Sequence, residues 1–217
     1  MNIKSTKRIL CFGDSLTFGK VPGPTKRYPA DIRWTGVLQG LLGDRYEVIE
    51  EGLRGRTTNL DDPESIGRNG LTYFQSSVLS HLPLDLIIIL LGTNDLKARF
   101  NRNVAEIASA IKEYRNAIHF ACKYLEEKEP KLLIVSPPYV DEVHVPSEWG
   151  YSGSEVKSKM LGQELSKAAL DINAGFINLS LIVEPSKLDG IHIDEAGHSK
   201  VAHVLASKIT EIINAID

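Results

Sequence analysis

Cysteine and tryptophan are scarce in this chain, two of each in 217 residues. Two cysteines cannot form the disulfide framework of a small secreted scaffold. Cys11 falls in an apolar run and Cys122 in a helical pattern, so both read as reduced core thiols, and neither has metal-ligand spacing. Long hydrophobic runs are missing too, and nothing approaches the roughly 20 apolar residues of a membrane span. The charged start, residues 1–8, leads into an apolar segment too short for a signal h-region. Charge of one sign is not in excess: 25 Lys and Arg against 28 Asp and Glu leave a net charge of -3, with no basic block for nucleic acid. No Gly-x-Gly-x-x-Gly phosphate loop follows the first apolar run, which argues against a nucleotide or flavin. These absences predict a cytoplasmic protein with no membrane or nucleic-acid partner, no metal and no cofactor.

What is present is an alternation of short aliphatic runs with helical periodicity. Residues 9–13, 46–51, 84–91, Lys131–Ser136 and 175–179 read as strands, and Trp34–Leu42, Gly70–His81, 103–127, 154–173 and 194–215 as helices. Strands without polar alternation need cover on both faces, and parallel strands need helical crossovers. The expected fold is α/β, a three-layer α/β/α sandwich around a five-stranded, mostly parallel sheet. With no repeat, linker or composition shift, residues 1–217 read as a single domain. Asp31 is the expected N-cap of the helix at Trp34, and Gly43 its stop. Residues 139–153, with Pro146, Trp149 and Tyr151 and no periodicity, form a loop long enough to be a lid over a site.

The first strand stops abruptly at Gly13-Asp14-Ser15. Asp and Ser there can simply cap the next helix. Yet open α/β sheets bind ligands along the carboxyl ends of their strands, which gathers Ser15, Gly55, Asn94 and the loop Asp189-Gly190-Ile191-His192 at one edge. An Asp three residues before a His can orient the imidazole while its other nitrogen faces a serine hydroxyl. The Gly55 N–H, the Asn94 amide and the Ser15 N–H are donors of the kind an oxyanion needs. Thr17 stands where the second glycine of a Gly-x-Ser-x-Gly elbow would be, which excludes an ordinary α/β-hydrolase.

Gly13-Asp14-Ser15-Leu16, Gly55, Gly92-Thr93-Asn94-Asp95 and Asp189-Gly190-Ile191-His192 resemble, in order, the four blocks of the SGNH (GDSL) hydrolase superfamily. The resemblance implies a flavodoxin-like fold, with Ser15 as nucleophile, His192 as general base, Asp189 as its partner, and Ser15, Gly55 and Asn94 as oxyanion donors. Further stretches, among them Asp31-Ile32-Arg33-Trp34-Thr35-Gly36-Val37-Leu38 and Arg56-Thr57-Thr58-Asn59, are similar to the bacterial arylesterase subgroup, which also makes peracids. That implies a small-molecule ester substrate with a short acyl or aryl group, and a homo-oligomer. Arg54 departs from the small residue expected beside the oxyanion donor, and residues 143–153 do not read like the subgroup's lid.

Arg54, Trp149 and Tyr151 are the weaker substrate-binding candidates, with His144 behind them. His81, His119, His198 and His203 read as surface or packing residues, and Trp34 as core or subunit interface; Arg27, Arg33 and Arg56 could bind an anionic substrate, though exposed or paired arginines are the default. Two other functions fit the same residues: an O-acetyl esterase acting on carbohydrate or lysophospholipid esters, and a non-catalytic binding module of flavodoxin-like fold.

Overall fold

The computed structural model describes residues 6–214, so residues 1–5 of the charged start and the expected end of the last helix at Ala215 lie outside it. Five strands, β1 (Lys7–Gly13), β2 (Tyr46–Gly52), β3 (Leu86–Leu90), β4 (Lys131–Ser136) and β5 (Gly175–Asn178), form one sheet in the order β2-β1-β3-β4-β5. Every pairing is parallel, where the sequence predicted a mostly parallel sheet. This is the flavodoxin-like order, whose switch point lies between β1 and β3.

Alternate residues of β1 supply two cores. Leu10 and Phe12 face α3 (Gly70–His81), α4 (Val104–Leu125) and α5 (Ser154–Asp171), while Ile9 and Cys11 face α2 (Trp34–Leu42) and α6 (Glu195–Asn214). Both faces of the central strands are therefore dry, which is why β3 is five aliphatic residues with no polar interruption. Trp34 is core, and Cys11 and Cys122 are free and buried. The longest helix, α4, starts with a reciprocal cap in which Asn103 accepts from the Glu106 N–H and Glu106 accepts from the Asn103 N–H.

The start of α2 differs from the expected one. The Pro29 carbonyl accepts from the N–H groups of both Ile32 and Arg33, a turn that delays the helix, so Arg33 and not Asp31 is the N-cap and contributes no side-chain cap. The Trp34 N–H instead donates to Nδ1 of His198, buried on α6, at 3.2 Å. Burial, with the nearby charge of His192, pushes the His198 imidazole down to about 4 from an ordinary 6.5. A depressed value stabilises the fold above pH 6.5 and loses that contribution as pH falls toward 4, by an amount on the order of 3 kcal/mol. Thermal melts between pH 7 and 4 should show the native chain losing stability more steeply than His198→Gln, which keeps an acceptor but does not titrate.

Candidate active site

β1 ends in Gly13, where a side chain would collide with the Leu90 carbonyl and with Thr17. The close approach lets the chain turn at once into α1 (Ser15–Phe18), whose N-cap is Asp14, accepting from the Leu16 N–H at 2.9 Å. Capping and presentation are thus divided between neighbours: Asp14 caps, and Ser15 is left facing the cleft. From the loop before α6, His192 Nε2 lies 2.9 Å from Ser15 Oγ, and His192 Nδ1 lies 2.8 Å from Asp189 Oδ2. Residues 177 positions apart in sequence meet because β1 lies inside the sheet and the last loop reaches its carboxyl end.

The carboxylate of Asp189 is fully engaged. Oδ1 accepts from the N–H groups of Ile191 and His192 at 3.2 and 2.9 Å, and Oδ2 also accepts from the Gly23 N–H at 2.8 Å. Burial by itself would raise the carboxyl, but the hydrogen bond and charge of His192, with backbone donors, outweigh it and hold Asp189 well below the usual carboxylate range. His192 is shifted down from 6.5, chiefly by burial, against the opposing pull of Asp189, with Lys20 and Arg54 adding to the downward shift. An imidazole that is neutral at pH 7 and hydrogen-bonded to a hydroxyl can take its proton, and an ionised partner steadies the imidazolium that results.

Two further donors face Ser15 across the cleft. Gly55 sits at φ 78° in the turn after β2, a conformation glycine adopts without strain, and its N–H meets no acceptor among the described residues. Asn94, just beyond β3, donates to the Arg56 carbonyl at 3.1 Å and more loosely to Asp14 Oδ2 at 3.3 Å. Its Oδ1 accepts from the Tyr151 hydroxyl at 3.2 Å, which fixes which way the amide points.

A model of the GDSL-like lipase/acylhydrolase family matches residues 11–200, which spans all five of these positions. The chain belongs to that family. Among solved structures, this family member superposes on the aryl esterase of M. smegmatis with a TM-score of 0.89, at 39% identity over 95% of this chain and 100% of the other. It is similar to the same degree to a carbohydrate acetylesterase from Sinorhizobium meliloti, with a TM-score of 0.89, 37% identity and the same coverage. An acetylxylan esterase from Xylanibacter ruminicola is 26% identical over 93% of this chain. The chain spans 43% of that curated relative's length. These relatives are carboxylic ester hydrolases.

The cleft of this GDSL-type chain has a volume of about 560 Å³ and is mostly polar. Arg54, Trp149 and Tyr151 all line it, but their surroundings differ. Trp149 stands edge-on to His192, with ring centroids 6.0 Å apart, whereas Tyr151 is buried and holds Asn94. Residues 139–153 form a wall rather than a free lid, since the Asp141 N–H donates to the Gly190 carbonyl and the Ala98 N–H to the Gly150 carbonyl, both at 2.8 Å. His144 is paired with Asp141 at 2.8 Å and does not line the cleft. Arg33 pairs with Glu50, Arg27 lies near it at 3.7 Å, and buried Arg56 donates to the Gly13 and Glu51 carbonyls. His81 and His119 face Glu51 and Glu129, and His203 is exposed on α6. Sequence reasoning missed Lys20, a lysine in a Pro- and Gly-rich loop that ends up buried, 3.4 Å from Asp189 and 5.1 Å above the Trp149 ring. No local pattern marks it. Among the described residues no His, Cys, Asp and Glu cluster could hold a metal ion, and no helix is long and apolar enough to cross a membrane.

Proposed function

We propose that the chain is a serine esterase of short-chain acyl or aryl esters, working through an acyl-serine intermediate. The observation that carries this reading is the continuous line from Ser15 Oγ to His192 to Asp189, at 2.9 and 2.8 Å, opening on a cleft beside the unpartnered Gly55 N–H. His192 takes the Ser15 proton as Oγ attacks the ester carbonyl. The N–H groups of Gly55 and Ser15 and the Asn94 amide receive the oxyanion, and the C–O bond to the alcohol breaks as His192 returns the proton to it. Water then enters by the reverse roles, and hydrogen peroxide in its place would release a peracid. The reading is completed by a single domain, a small-molecule ester as partner, self-association as the resemblance implies, and a cytoplasmic location, which two free buried thiols support.

Hydrolysis of p-nitrophenyl esters from acetate to decanoate, with a hydrogen peroxide arm and Ser15→Ala as control, tests this. Activity should peak at acetate or butyrate and depend on Ser15, and Ser15-independent or absent turnover would overturn it. A second reading, a carbohydrate O-acetyl esterase, is favoured by the polar lining of the cleft, which suits a sugar better than an acyl chain. Acetate release from acetylated sugars that outpaces p-nitrophenyl acetate would select it.

Asn94→Ala should lower kcat by about 100- to 1000-fold, on the order of 3 kcal/mol in the barrier, with little change in KM. Tyr151→Phe, which frees the Asn94 amide without removing it, should cost less, and stopped-assay kinetics on both variants separates donor from positioner.

A further inference from the structure

The cleft collects cations that its own acids do not neutralise. Arg99 bridges Asp62 and Glu64, both at 2.7 Å, which accounts for one arginine and two carboxylates. Arg54, Arg68 and Lys97 remain, and none of them has an acid within salt-bridge distance among the described residues, while Glu148 is the sole other acid in the lining there. Arg68 is tied only to the Ile66 carbonyl, and its Nε lies about 3.3 Å from where a Gly55 side chain would start. Arg54 makes no side-chain hydrogen bond or ion pair among the described residues and lines the cleft beside Gly55. An excess of positive charge at this one place, in a chain of net charge -3, is local and lies against the reacting serine.

One cation of the cleft, Lys20, stands on the flank where the alcohol leaves. The alcohol of an ester must leave toward the group that protonates it, so it lies on the His192 side of Ser15. That side is walled by Trp149, edge-on to His192 at 6.0 Å, with the Lys20 ammonium 5.1 Å over its ring. Lys20 is partly committed to Asp189, at 3.4 Å. Arg54 lines the same cleft as Lys20, Trp149 and His192, and it has no partner of its own among the described residues.

We infer that the cleft selects esters whose alcohol portion carries a carboxylate, which Arg54 pairs with while Lys20 and Trp149 form the wall behind it. The inference rests on the serine-esterase reading and narrows its substrate class. A neutral ester would leave Arg54 unpaired, and a cationic one would meet Arg54 and Lys20 with like charge.

The test compares 4-acetoxybenzoate with methyl 4-acetoxybenzoate and (4-acetoxyphenyl)trimethylammonium, each rate divided by that ester's own alkaline hydrolysis rate. Phenyl hemisuccinate places the carboxylate on the acyl side instead. At low salt, kcat/KM for 4-acetoxybenzoate should exceed that of its methyl ester by about ten-fold, and the advantage should shrink in about 0.5 M NaCl. Arg54→Glu should reverse the order of the carboxylate and ammonium esters. Equal rates for the carboxylate and neutral esters, a preference that Arg54→Glu leaves intact, or a larger advantage for the hemisuccinate would each overturn the inference. Calorimetric titration of the same three acetates into Ser15→Ala reads the charge preference without turnover. If the native chain hydrolyses none of the esters, the esterase reading falls while the titration still decides whether the carboxylate is held.

Discussion

Replacing Ser15 by alanine is expected to lower kcat for p-nitrophenyl acetate by about a million-fold. The hydroxyl is the only group of Ser15 that faces His192, and its loss leaves the imidazole nothing to deprotonate but water. Whatever acceleration remains should come from the donors and the cleft, which by themselves hold the ester and its oxyanion. The fold should be unaffected, because the Ser15 carbonyl still accepts from the N–H groups of Gly19 and Lys20 and the Asp14 cap on the Leu16 N–H is untouched. His192→Ala should be nearly as slow, and the double variant scarcely slower than either, since the two side chains act as one unit. A melting curve together with a burst-phase assay checks both halves: unchanged stability and no acyl-enzyme burst. A double variant much slower than either single one would show two independent contributions instead of one relay.

The second large effect belongs to Asp189→Asn, expected to cost about 10,000-fold in kcat. Ile191 and His192 both donate backbone N–H groups to Oδ1 of this carboxylate, and an amide that keeps its carbonyl toward them must turn N–H toward the imidazole and toward the Gly23 N–H, which loses its acceptor. His192 Nδ1 then becomes an acceptor, Nε2 carries the proton, and the nitrogen facing Ser15 can no longer accept one. A pH profile separates this from simple structural damage. In the native chain kcat/KM should fall on the acid side as His192 becomes protonated, at a pH below 6.5 because its value is depressed. Asp189 opposes that depression, so removing its charge should move the acid limb to still lower pH while the plateau drops. Damage to the loop alone would lower the plateau and leave the limb in place.

Much of this site was legible before any coordinates. Ser15, Gly55, Asn94, Asp189 and His192 each sit where a buried aliphatic strand ends or in the last loop, and parallel strands send all such ends to one edge. The same alternation revealed the three layers, because β3 has no polar residue and β4 carries them only at its ends, Lys131 and Ser136. What escaped was set by contacts distant in sequence. Tyr151 reads as a loop aromatic, and only its 3.2 Å bond to Asn94 makes it part of the donor set. His198 reads as a surface or packing residue, and only the structure shows that it accepts from the first N–H of another helix. Asp31 has the composition of an N-cap and loses to a turn built on Pro29, which no propensity scale weighs.

The sequence by itself determined the fold class, the strand ends and the residue types the chemistry needs, because burial periodicity and local hydrogen-bonding preferences act over a few residues. Tertiary structure decided which charges meet. Arg99 finds its acids and Arg54 does not, Lys20 is buried against Asp189, and residues 139–153 are pinned as a wall. Electrostatic pairing depends on distances of a few ångströms between segments far apart in the chain, and those distances exist only once the sheet has folded.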